Sequence, residues 1–62
     1  MNAKEFIKKA EAIGWYFERM GKGDHKIYKH PNKNYHLSIP DHGKKDIALG
    51  TLNKLLKHAG LK

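Results

Sequence analysis

The sequence has no cysteine, two prolines, six acidic residues and no apolar run longer than three residues. Each shortage removes a class of protein. Without cysteine there is no disulfide framework and no thiolate metal site, which suits a reducing compartment. Nothing approaches the roughly 20 apolar residues that cross a bilayer. The N-terminus carries Glu5 and lacks the apolar core of a signal peptide, so the chain reads as cytoplasmic and full length. Length is also short. Residues 1–62 make one domain, and a chain of this size buries only about 60 % of its unfolded surface. That leaves too little wall for a deep pocket, so no small-molecule cofactor is expected.

What is present is positive charge. The formal net charge is +7, and four of the five histidines (His25, His30, His36 and His42) lie between Lys22 and Lys45. The same window holds Lys22, Lys26, Lys29, Lys33, Lys44 and Lys45 against Asp24 and Asp41. Such a field attracts polyanions, of which nucleic acid is the commonest. A soluble basic surface, or docking to an acidic protein, would give the same composition. The histidines lack the i, i+4 spacing of a zinc helix, so no metal site is expected.

Hydrophobic residues are 39 % of the chain but recur periodically, which predicts a fold rather than disorder. Asn2 and Glu5 have the spacing of a capping box. Phe6, Ile7, Ala10 and Ile13 form one helical stripe, ended by Gly14 as a left-handed stop. Trp15–Met20 is dense in aromatics and reads as a strand whose rings enter the core. Gly21–Asp24 is a hairpin connection, and His25–His30 is the second strand. Pro31–Asn34 is a turn. Tyr35–Ile39 alternates, with Tyr35, Leu37 and Ile39 inward, and Pro40 closes the strand. A polar loop, Asp41–Asp46, leads to a helix from about Ala48 to His58. Leu52, Leu55, Leu56 and Ala59 form its buried face, and Ile47 or Leu49 its entry. Gly60 stops it, and Leu61 folds back on its last turn. Gly50, unfavourable inside a helix, suggests close packing against another backbone. The expectation is an α+β fold in the order α-β-β-β-α: a three-stranded antiparallel sheet with both helices on one face, as in a double-stranded-RNA-binding domain. Fold alone does not fix function.

Several stretches, in order, carry a family resemblance. They are Ile13-Gly14-Trp15, Gly23-Asp24-His25-Lys26-Ile27-Tyr28-Lys29-His30-Pro31, Ile39-Pro40-x-His42-Gly43, and Gly50-Thr51-Leu52 continuing to Ala59-Gly60-Leu61. Together they span nearly the whole chain, and the sequence resembles the HicA (YcfA-like) toxin family. The resemblance implies a double-stranded-RNA-binding-like fold and metal-independent, ribosome-independent cleavage of mRNA. It also implies His25 as the catalytic residue and a HicB-like antitoxin that occludes it. Asp24 stands where the family most often has serine. An acid there can orient His25 or repel an approaching phosphate.

The chemistry fits histidine. RNA cleavage needs the 2′-hydroxyl activated, the phosphate stabilised and the 5′-oxygen protonated. An imidazole does the first or third near neutral pH. Lys22, Lys26, Lys44 and Lys45 are the expected phosphate contacts, with Lys8 or Lys9 as additions, and the Gly21–Asp24 turn, Gly23 included, offers backbone N–H groups. His42, His30 and Tyr28 are candidate second proton-transfer groups, and Asp24 is a candidate auxiliary residue. Alternation leaves the face of His25 open, because it shares parity with Ile27 while Tyr28 does not. The competing functions are a non-catalytic RNA-binding module of the same fold and a basic protein that docks an acidic partner.

Overall fold

The computed structural model describes residues 1–62. The chain runs α1 (Ala3–Glu11), β1 (Tyr16–Met20), β2 (His25–Lys29), β3 (Leu37–Pro40) and α2 (Leu49–Ala59). The strands form one antiparallel sheet in the order β1-β2-β3, so the α-β-β-β-α expectation holds.

Asn2 starts α1: its Oδ1 accepts the Glu5 N–H at 2.9 Å, satisfying one of the free donors of a helix N-terminus. Ala3, Phe6 and Ala10 are the buried stripe. The helix ends at Glu11, earlier than the stripe suggests, so Ile13 leaves it and is 42 % exposed. Gly14 takes φ +107° beyond that end, turning the chain so that Trp15 enters the core.

In α2, Leu52, Leu55 and Ala59 are buried and Leu56 is half-buried. Ile47, not Leu49, is the apolar entry, since Ile47 is buried and Leu49 is 73 % exposed. Gly60 closes the helix at φ +83°, and Leu61 N–H returns to Leu56 O at 2.9 Å. The close approach expected at Gly50 is absent, because a Cβ there would meet nothing within 4 Å.

Phe6 and Ala10 from α1, and Leu52, Leu55 and Ala59 from α2, pack with Tyr28, Leu37 and Ile39. Both helices therefore cover one sheet face. Trp15 joins this core at 2 % exposure, and its indole N–H donates to Ala59 O at 3.0 Å. That bond ties the β1 entry to the end of α2.

The other aromatics depart from expectation. Tyr16 and Phe17 are about half exposed, because the helices overlie β2 and β3 and β1 gives no side chain to the core. A bulge lies between Phe17 and Arg19. Tyr35 precedes β3, is 40 % exposed, and donates its hydroxyl to His58 O at 2.6 Å. Ile27 is buried but lies outside the main cluster, on the sheet face away from the helices. Gly21 permits this: a Cβ there would come within 2.9 Å of Ile27 Cδ1.

Candidate active site

Two glycine turns meet at one end of the sheet. The β1–β2 turn carries Lys22, Gly23 and Asp24, and Gly23 has φ +65°. The segment after β3 carries Asp41, His42, Gly43, Lys44 and Lys45, and Gly43 has φ +72°. L residues adopt such values only with strain, so glycine fits both bends. A backbone bond from Asp41 N–H to Asp24 O, 3.1 Å long, holds the turns together.

Asp41 does more. Its Oδ1 accepts the Gly43 N–H at 3.1 Å, and its Oδ2 meets Lys26 Nζ at 2.8 Å. One carboxylate thus shapes its own turn and anchors it to β2. The Lys26 ammonium and then the Gly43 N–H hold the Asp41 carboxyl below the usual carboxylate range. The reciprocal hydrogen bond raises Lys26 above the ordinary lysine value, against a smaller opposing effect of burial. Asp41 was missed as a site residue by sequence reasoning, although its Asp-x-Gly spacing is a signature of this turn.

His25 opens β2, and alternation puts it with Ile27 on the face away from the helices. It is half-buried, and its imidazole makes no hydrogen bond to the chain. It lines an open cavity of about 520 Å³ with His42, Ser38, Asp46 and Thr51. The cavity therefore brings together two imidazoles from separate turns. His42 Nδ1 lies 3.6 Å from Asp24 Oδ2. That is ion-pair range when the ring is protonated, but too long for a direct hydrogen bond. Asp24 thus faces His42, and its carboxylate forms no ion pair with His25. With Nδ1 turned to Asp24, His42 keeps Nε2 for a bound group.

The remaining candidates separate. Tyr28 sits on the helix-covered face, so β2 places it opposite His25. His30 follows β2 at the far end of the sheet. Its Nδ1 accepts the Asn32 N–H at 3.1 Å, which makes Nε2 the protonated nitrogen, donating to Ile13 O at 2.7 Å. Both ring nitrogens are thus engaged in structure. Lys26 is tied to Asp41, while Lys22, Lys44 and Lys45 are exposed and unpaired. Only Lys26 and Lys29 of the thirteen Lys and Arg residues are ion-paired, so the positive field is not neutralised internally. In the first turn, Gly21 N–H and His25 N–H bond within the turn. The N–H groups of Lys22, Gly23 and Asp24 have no backbone acceptor.

Nowhere do three His, Asp or Glu side chains converge as metal ligands. No helix is long and apolar enough to cross a membrane. A family model described as the HicA toxin of bacterial toxin–antitoxin systems matches residues 3–61. No curated protein matches the chain.

Proposed function

The chain belongs to the HicA toxin family of bacterial toxin–antitoxin systems, and from that premise we propose that it is an endoribonuclease that cleaves mRNA through His25. The observation that carries this reading is the shared cavity of His25 and His42, with unpaired Lys22 and Lys45 on its two turns. One imidazole takes the proton of the 2′-hydroxyl as its oxygen attacks phosphorus. The other returns a proton to the departing 5′-oxygen as the P–O5′ bond breaks. The products are a 2′,3′-cyclic phosphate and a 5′-hydroxyl. The two lysines and the free N–H groups of the first turn balance the charge that builds on the phosphate. A HicB-like antitoxin that covers this end of the sheet would neutralise the activity, which takes place in the cytoplasm.

Asp24 favours a second reading. Its carboxylate stands exposed beside His42, where it repels a phosphate, and this suits a module that binds RNA without cutting it. One experiment separates the two. Wild type, His25→Ala and His42→Ala are incubated with a long single-stranded RNA in EDTA. A matched strand with 2′-deoxy nucleotides serves as control. The nuclease reading expects fragments from wild type only, and none from the deoxy strand. Binding without fragments by all three proteins establishes the module. Equal cleavage by wild type and His25→Ala removes His25 from the mechanism.

A further inference from the structure

A second cleft lies beside the Lys26–Asp41 pair, and His25 does not line it. Its volume is about 410 Å³, and Lys4, Lys26, Tyr28, Asp41 and Lys44 line it beside the start of α1. Tyr28 is 5 % exposed, yet its hydroxyl has no hydrogen-bond partner in the chain. No fully buried polar side-chain atom lacks a partner, so this hydroxyl must reach solvent, and the cleft is where Tyr28 meets it. Burial, and then the Glu11 carboxylate, push the phenol above its ordinary value. It therefore remains a hydrogen-bond donor throughout the neutral range. Lys4 and Lys44 are exposed and unpaired, whereas Lys26 and Asp41 cancel each other. The cleft thus offers two free ammonium groups and one free hydroxyl donor, the donor set that a phosphodiester accepts.

We propose that this cleft is a second phosphate subsite for single-stranded RNA, in which Lys4, Lys44 and the Tyr28 hydroxyl hold the backbone to one side of the scissile bond. The proposal rests on the RNA-directed reading of the His25 cavity. The two sites meet β2 through residues of opposite parity, Tyr28 in the cleft and His25 in the cavity, and the cavity also reaches Ile47 and Thr51 at the start of α2. The Gly43 turn lies between them, with Lys44 in the cleft and His42 in the cavity. A strand occupying both must cross the sheet end over Gly43. A bound RNA is therefore bent there, which a single strand accepts far more readily than a duplex.

The test measures binding by His25→Ala protein, so that substrate survives, with a fluorescein-labelled single-stranded RNA of about 12 nucleotides across a salt series. Each phosphate contact contributes about 0.7 to the slope of log K against log salt. The Lys4→Gln, Lys44→Gln double variant should bind at least about 10-fold more weakly at moderate salt, with the slope reduced by about 1.4. Tyr28→Phe should bind several-fold more weakly with an unchanged slope, since it removes a donor and no charge. Thermal melts of each variant exclude unfolding as the cause. If both variants bind as the parent does while Lys22→Gln, Lys45→Gln binds more weakly, the cleft is off the RNA path and the His25 reading stands. If the parent binds no RNA, both readings fall.

Discussion

Replacing Trp15 with phenylalanine tests how the fold is closed. The side chain is 2 % exposed, and its N–H bonds to the carbonyl of Ala59, itself fully buried. Phenylalanine keeps an aromatic ring for the contacts with His30 and Tyr35, at centroid distances of 5.3 and 6.0 Å. It loses the indole N–H and strands the carbonyl, at a cost of about 1–3 kcal/mol. It also buries about 50 Å² less apolar surface, or about 1 kcal/mol at ~25 cal/mol/Å². The sum is about 2–4 kcal/mol. A chain of this length has about 3–9 kcal/mol in total, so Trp15→Phe removes a large share. At about 4–8 °C per kcal/mol, the midpoint should fall by roughly 8–32 °C. The assay is thermal and urea unfolding followed by far-ultraviolet circular dichroism, which does not depend on the lost indole. RNA cleavage per folded molecule should not change, because Trp15 enters the sheet at the end away from His25. A loss below about 0.5 kcal/mol would refute the reasoning, since the bond from Trp15 to Ala59 would then not be what pins α2.

Asp41→Asn should cost about 0.5–1 kcal/mol, because the Lys26 pair is partly exposed and screened. The Asp41 carboxyl is depressed in the folded state, so its contribution is full above about pH 4 and fades as pH falls through its folded value. The Lys26 ammonium is raised, so its contribution is full up to about pH 10 and fades as pH rises through its folded value. Urea midpoints against pH should therefore show an acid limb in wild type that is shallower in Asp41→Asn. Gly14→Ala should destabilise by about 2 kcal/mol or more in urea titrations, because φ is +107° and a Cβ would fall 2.6 Å from His30 Nε2. Gly50→Ala should do the reverse and raise stability by about 0.5–1 kcal/mol, since it lies in a helix with open space around it. The same titration checks both.

Periodicity located the elements whose burial is set within one stripe. Phe6 and Ala10, or Leu52, Leu55 and Ala59, are legible because a helix shows one face to one neighbour. Tyr16, Phe17 and Tyr35 are exposed against expectation, because aromatic content marks a strand without saying whether a helix will cover it. Their exposure follows from which strands the helices overlie, and that is tertiary information. Ile27 shows the same limit: it is buried as expected, but on the other face and beneath Gly21. His25 and His42 were both legible as candidates, yet their shared cavity was not. It depends on the bond between Asp24 and Asp41, seventeen positions apart. On charge alone Lys26 reads as a phosphate contact, whereas its engagement by Asp41 depends on the turn that brings the two together.

The bulge in β1 has a bearing on how the protein behaves alone. An outer strand with Tyr16, Phe17 and Met20 half exposed is a template on which another chain can add a strand. The extra residue at Glu18 breaks the regular spacing of that template between Phe17 and Arg19, and Glu18 is held by Lys29 at 3.1 Å. A kinked edge carrying charge at its midpoint resists lateral stacking of copies, as does the +7 net charge they share. Deleting Glu18 would straighten the edge and take away its charge, leaving the shared positive charge alone to oppose stacking.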